Sequence, residues 1–316
     1  MRVAVAGGTG TVGSSIVSAL FSSNNHTPVI LTRTTGEHPQ GTTSHSDTGT
    51  EIRYVEYSSK QSLVNMIRDI DAVVSTHLIL GPDSVASEIN LLHAAEEVGC
   101  KRFAPSSWAL EKRMHPHVDI DHAKLSIWDA VLEAVEKGSI DAGLFPCGAF
   151  MNYLGMGSPY VVDALAGLKE SPHMFHLGDE QGPRIDVPVQ NGQYPSLTMT
   201  DIRDIGKFMV AALEMEEAWE GRELGMSGDT LGFNELVDLC EKQLGKKVEV
   251  NQIEVSQLDR LIQGLDPGDF LTRMGYQYAR ACALGGSVVT KPVLNSLCPQ
   301  VQPLCVKDYL ERYWPA

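Results

Sequence analysis

The chain has 316 residues, more than one hydrophobic core usually supports, and its 43% apolar and 21% charged content is that of a folded globular protein rather than a disordered one. With 25 Lys and Arg against 40 Asp and Glu the net charge is −15, a surface that repels polyphosphate chains and argues against nucleic acid as a partner. No run approaches the roughly 20 apolar residues needed to cross a bilayer, and the first strand is expected from Arg2 with no room for a leader, so a cytoplasmic protein without a membrane partner is expected.

In chain order, short β-branched runs alternate with helical patterns, the signature of a parallel α/β sheet. Strands are predicted over 3–6, 29–32, 53–56, 72–75, 102–105 and 142–146, with helices over 11–21, 60–68, 84–98 and 124–137 between them. The strands are nearly continuous in apolar residues, as expected when both faces are covered. The polar run 34–50 has no periodicity and reads as a surface loop. Further on, helices are predicted over 160–168, 201–214 (capped by Asp201 or Thr200) and 233–244, the last ending at Gly245. The six cysteines form no C-x-x-C pair and suit a reduced compartment. His115-x-His117 has no grouping that completes a metal site, and both histidines read as loop residues.

The strongest motif is Val3-Ala4-Val5-Ala6-Gly7-Gly8-Thr9-Gly10-Thr11-Val12-Gly13, a strand that flows into Gly7-x-x-Gly10-x-x-Gly13 and then a helix. Gly7 permits a tight turn, Gly10 lets backbone approach a pyrophosphate, and Gly13 lets helix and strand pack closely; the diphosphate then meets the positive end of the helix. Thr9, Thr11 and Val12 complete this candidate dinucleotide site. At the end of the second strand an NAD site carries an acid, but Thr32-Arg33-Thr34 is followed by none until Glu37. Arg33 is therefore read as the partner of a 2′-phosphate, and NADP(H) as the cofactor.

A typical short-chain dehydrogenase has Tyr four residues before Lys; Lys124 is the natural lysine, but position 120 is Ile. The glycine pattern, the run from Lys101 to Ser107, Lys124 opening a helix, Asn90 in the preceding helix and Asp201-x-x-Asp204-Ile205-Gly206-Lys207-Phe208 together resemble the NmrA-like and isoflavone-reductase-like family of atypical short-chain dehydrogenases. The resemblance runs from Arg2 to about Val250. It implies NADPH-dependent reduction of aromatic or conjugated secondary metabolites, with a lone lysine, matching Lys124, as the catalytic general acid or base. Regulatory members of the family lack that lysine. An ammonium there stabilises charge that builds on a hydride acceptor or relays a proton, with His122 as a candidate partner.

Ligands of doubly wound sheets bind beyond the carboxyl ends of the strands. Ser75 and Thr76, Ser106, and Phe150 are therefore expected beside the cofactor, and Trp108, Met151 and Tyr153 beside the substrate, with Phe150, Tyr153 and Trp108 as a flat apolar wall. Trp108-Ala109 stands where the family often has Phe-Gly, and 111–121 is peculiar to this chain, so no plant substrate is carried over. The expected fold is α/β: a Rossmann doubly wound parallel sheet over 1–155, with a smaller mixed α/β substrate-binding region over 156–316 from which about 198–228 return to the first. The reading is a natural-product reductase acting on a small aromatic or polycyclic molecule, as monomer or homodimer. Two other readings stay open: an NADP(H)-dependent redox-mediated cyclase or isomerase, such as a Diels-Alderase of alkaloid biosynthesis, and a non-catalytic NADP(H)-sensing regulator with a protein partner.

Overall fold

The computed structural model describes residues 1–34, 41, 43–46, 49–169, 174–266 and 268–315. Its first half alternates strands and helices: β1 (Arg2–Ala6), α1 (Thr11–Ser23), β2 (Thr27–Arg33), β3 (Thr43–His45), β4 (Glu51–Val55), α2 (Lys60–Met66), β5 (Ala72–Ser75), α3 (Pro82–Val98), β6 (Arg102–Ala104), α4 (Asp119–His122), α5 (Lys124–Glu136) and β7 (Asp141–Ala142). Seven strands form one sheet in the order β3-β4-β2-β1-β5-β6-β7, parallel throughout except at β3. The connectivity reverses beside β1, where β2 lies on one side and β5 on the other.

Side chains alternate across this sheet, which is why it has two cores. Val3 and Val5 face one layer with Ile16, Val17 and Leu20 of α1, while Ala4 and Ala6 face the other with Leu63, Leu91 and Val131 of α2, α3 and α5. Small alanines on the second face let those helices approach closely.

The second half comprises β8 (Ala149–Phe150), α6 (Val161–Leu165), β9 (Phe175–His176), β10 (Arg184–Val189), β11 (Ser196–Thr200), α7 (Ile202–Glu214), β12 (Asp229–Gly232), α8 (Phe233–Leu244), β13 (Glu249–Glu254), α9 (Val255–Gly264), α10 (Phe270–Ala283), α11 (Val293–Leu297) and α12 (Val306–Tyr313). Two three-stranded sheets, β13-β10-β9 and β12-β11-β8, enclose a separate core around Phe175, Phe233 and Tyr309. α7 leaves this region and packs on α1 within the first core. Asp201 caps α7, its Oδ1 accepting from the Arg203 N–H at 2.7 Å, and α8 ends at Gly245 in the left-handed conformation. Arg102 closes the other end of α7: its guanidinium donates to the carbonyls of Ala212, Leu213, Met215 and Glu217 and lies 5.0 Å from the Trp219 ring.

Three expectations need correction. Part of the polar run expected as a loop pairs as β3, antiparallel to β4, where alternating Thr43, Ser44 and His45 suit an exposed edge; Glu37 lies outside the described residues. The sixth predicted strand pairs only over Asp141–Ala142, after which Leu144 bridges to Glu223 and the chain follows 222–226 instead. The helix predicted over 160–168 is only Val161–Leu165, stopped where Ala166 and Gly167 both take positive φ. Among the described residues no helix is long and apolar enough to cross a membrane, and no group of three or more His, Cys, Asp or Glu could hold a metal ion.

Candidate functional site

The glycine turn lies at the carboxyl end of β1. Gly7 sits at φ +74°, and its N–H donates to Leu31 O of β2 at 3.1 Å. The first helical bond of α1 runs from Ser14 N–H to Gly10 O, and Gly10 has no side chain to cap the N–H groups of Thr11, Val12 and Gly13 ahead of it. Thr9 and Gly10 are exposed, so this positively polarised end faces solvent. A Cβ on Gly13 would lie 2.3 Å from Gly7 O and 2.7 Å from Thr76 Oγ1, whereas one on Gly10 would meet only Gly7 O, at 3.2 Å. The cradle therefore has the shape a diphosphate requires: closed behind by backbone, open in front. Thr11 Oγ1 donates to Gly167 O, which ties the second half to the rim. Arg33 is exposed at the end of β2, between Thr32 and Thr34, and its charge reaches the phenol of buried Tyr57, which donates to Leu31 O at 3.1 Å.

Beyond β5 and β6 lies a buried acid that the sequence reading did not single out. Glu88 of α3 is fully buried and accepts from Ser75 Oγ at 2.6 Å and from the Ser106 N–H at 2.9 Å; His77 Nδ1 is 3.1 Å away. Ser106 Oγ donates to His77 O at 2.6 Å, and Thr76 Oγ1 to Ala6 O at 2.8 Å. Ser75, Thr76 and Ser106 thus lock the strand ends together. Ser75 is a correction: fully buried, with its hydroxyl turned to Glu88, it frames the site and does not face a ligand. The signal in the sequence was an acid within the apolar stripe formed by Val85, Leu91 and Leu92 of α3.

Past β6 the chain forms a short 3-10 turn (Lys112–His117) and then α4 and α5, which place Lys124 on the carboxyl side of the sheet. The Lys124 side chain is 12% exposed, and its Nζ donates at 2.7 Å to Oδ1 of Asp121, which is 1% exposed. The Tyr278 hydroxyl of α10 donates to the other carboxylate oxygen at 3.0 Å. Burial, then the Asp121 charge and hydrogen bond, push the Tyr278 phenol well up, and Tyr153 acts on it in the same sense. Phe150 and Tyr153 stand together as expected, half-buried, with ring centroids 5.9 Å apart. Cys147 is buried nearby, its thiol pushed up to about 12 by burial and eased back by Lys124.

Four further residues depart from expectation. Trp108 is not part of an apolar wall: it is 6% exposed, stacks on Phe145 at 5.7 Å, and donates its indole N–H to Ser75 O at 2.8 Å, because a buried indole needs an acceptor. Met151 is fully buried in the core of the second half, filling space rather than facing a ligand. His122 is exposed and pairs with nothing among the described residues, whereas the partner of Lys124 is Asp121. His115, expected in a loop, is 1% exposed; burial holds its imidazole low, with Asp121 opposing and Lys124 adding to the shift, and its Nδ1 has no hydrogen-bond partner. A groove of about 590 Å³ lies away from these side chains, between α1 and α7; its cations, Arg203 and Lys207, are paired with Asp163 and Asp204.

The profile of the NmrA-like family matches residues 1–279. The oxidoreductase BOA1 of Botryotinia fuckeliana (strain B05.10) is 30% identical over 251 residues, covering 78% of this chain and 77% of its own. The phenylcoumaran benzylic ether reductase IRL1 of Ginkgo biloba is 23% identical, covering 99% of this chain and 98% of its own. Among solved structures, AtPrR2 with NADP+ and (+)pinoresinol superposes with a TM-score of 0.73 at 20% identity, over 99% of this chain and 98% of that one.

Proposed function

Because the chain belongs to the NmrA-like family, we propose that it is an NADPH-dependent oxidoreductase that reduces a conjugated or aromatic secondary metabolite, with Lys124 as general acid or base. The observation that carries this reading is a half-buried lysine held by a buried carboxylate on the same side of the sheet as the open glycine turn. The names of relatives support it, since they include reductases of benzylic ethers and of pinoresinol and lariciresinol.

The residues present fit the dinucleotide. Gly7, Gly10 and Gly13, with the N–H groups of Thr11 and Val12, would hold the diphosphate; Thr9 lies on the rim, and Arg33 between two threonines would hold the 2′-phosphate. Ser75, Thr76 and Ser106, tied through Glu88 and Ala6, fix the strand ends on which the nicotinamide half would rest. When bound, NADPH supplies a hydride to an electrophilic carbon of the substrate. Phe150 and Tyr153 would cover the face of an aromatic ring and exclude water, and Lys124 would give a proton to the oxygen on which charge develops. Residues 1–155 would then bind cofactor and 156–316 shape the substrate pocket.

The test is NADPH oxidation with (+)-pinoresinol and a panel of isoflavones and benzylic ethers, products being identified by mass, on wild type and Lys124→Ala. Turnover that falls by about a hundredfold or more in Lys124→Ala supports the reading, that being the typical reach of a positioned proton donor. Conversion without net NADPH oxidation would replace it with the cyclase or isomerase reading. Tight NADPH binding without turnover across the panel would favour the sensor.

A further inference from the structure

We infer that Asp121 and Tyr278 form a clamp that positions Lys124, so that α10, from the distal part of the chain, aims the ammonium at the substrate. This rests on Lys124 being the reactive lysine and goes beyond it, because it assigns Lys124's orientation to a carboxylate and a phenol brought to it by α4 and α10.

Both oxygens of Asp121 are engaged, Oδ1 by Lys124 at 2.7 Å and Oδ2 by Tyr278 at 3.0 Å. A carboxylate free to rotate could offer either oxygen, or both, to an ammonium. With Oδ2 held by a phenol that burial keeps protonated, only Oδ1 is left, and its direction is fixed. An ammonium has three N–H bonds; one is anchored here, which sets the directions of the other two.

The clamp is itself rigidly seated. Asp121 lies in the four-residue α4, its N–H donating to Val118 O at 2.9 Å. The first residue of α4 is gripped by the neighbour of Tyr278: the Asp119 N–H donates to Gln277 Oε1 at 3.0 Å. Two adjacent residues of α10 therefore hold α4 at Asp119 and at Asp121. Beneath them Leu110, Met114, Val118, Ile120 and Ala281 form a small core on which Tyr278 also leans. An exposed Asp–Lys pair three residues apart needs no such support and contributes little. Here the acid is 1% exposed and the lysine 12%, so the pair is sequestered, and the phenol that holds its acid comes from 157 residues away.

The test reads Lys124 directly. In the NADP+-saturated protein, the rate of Lys124 acetylation by N-hydroxysuccinimidyl acetate is followed by peptide mass spectrometry across pH, with exposed Lys137 and Lys247 as internal standards. Asp121→Asn is expected to raise Lys124 labelling by about fivefold or more and Tyr278→Phe by about twofold, because an amine no longer held against Asp121 Oδ1 meets the reagent more freely; Asp121→Glu should restore the wild-type rate. The kcat for an accepted substrate should fall by about tenfold in Asp121→Asn, while the KM for NADPH stays unchanged. Tyr278→Phe removes a single oxygen and serves if Asp121→Asn does not fold. Unchanged Lys124 labelling in both variants overturns the clamp. So does unchanged kcat in both while Lys124→Ala abolishes turnover. Full turnover by Lys124→Ala overturns instead the assignment of Lys124 as the reactive residue, and labelling alone then decides whether the clamp exists.

Discussion

The glycine turn offers a pair of substitutions that separate folding from cofactor binding. Gly13→Ala places a methyl 2.3 Å from Gly7 O, 2.7 Å from Thr76 Oγ1 and 2.8 Å from Gly8 Cα. These fall roughly 0.7 to 1.2 Å short of ordinary contact, which begins near 3.5 Å. Two of the three obstacles are backbone and the third is a hydroxyl bonded to Ala6 O, so no flexible side chain can swing away. Overpacking of this kind costs about 1–3 kcal/mol, and the upper end applies here. In a chain of this size that lowers Tm by on the order of 5 °C. Relief requires the turn itself to shift, so NADPH affinity should fall by about a hundredfold, or roughly 2.7 kcal/mol. Gly10→Ala differs. Gly10 is exposed, its φ of −79° suits alanine, and the added methyl meets one oxygen at 3.2 Å. Its Tm should stay within about 1–2 °C of wild type, a change under roughly 0.5 kcal/mol, while NADPH affinity still falls because the methyl stands where the diphosphate approaches. Isothermal titration with NADPH and thermal unfolding measure both quantities. Wild-type affinity in Gly10→Ala would refute the placement of the diphosphate on this backbone. Wild-type Tm and affinity in Gly13→Ala would refute the claim that the turn cannot relax.

Arg33→Ala should bring NADPH and NADH affinities together, erasing a preference of at least about tenfold, or 1.4 kcal/mol; fluorescence titration with the two nucleotides measures it, and a retained preference assigns the 2′-phosphate to other groups. Arg102→Leu leaves the last carbonyls of α7 without their donor and should destabilise the protein by about 3 kcal/mol or more in urea unfolding; a loss under about 1 kcal/mol would mean that water replaces the guanidinium freely. At the acid end, the hydrogen bonds and charge of Arg53 hold Asp69 down at about 2. Its folded value lies below the unfolded one, so its stabilisation is present above about pH 4 and is lost as pH falls toward 2. Asp69→Asn should flatten that part of the stability–pH curve, and an unchanged slope would show the pair to be screened by solvent.

The central sheet was legible because its signals are local. Continuous apolar runs mark buried parallel strands, and strand, glycine turn and helix follow within thirteen residues. Asp201 and Gly245 announce helix ends by chemistry that acts within a few positions. β3 escaped notice because an exposed edge needs no apolar residue. In the candidate site, Lys124 could be picked out, and Asp121 three residues earlier was visible in hindsight as half of an ion pair. Tyr278 was not, since its bond to Asp121 spans 157 residues. Trp108 misled because an aromatic residue after a strand reads alike whether its indole faces a ligand or a neighbouring carbonyl.

The packing of α7 on α1 also bears on how the protein is made. Ser15 Oγ donates to Ile202 O at 2.7 Å, and a Cβ on Gly206 would lie 2.6 Å from Ser15 O, so the two helices touch backbone to backbone. The helix that begins at the glycine turn thus lacks one of its walls until residue 214 has been synthesised. At elongation rates of about 5–20 residues per second, Ile16 and Leu20 wait on the order of ten seconds or more after emergence for that wall. During that interval the nascent chain offers the ribosome's attendant chaperones an uncovered apolar sheet face, and a fragment cut after residue 155 would offer it permanently.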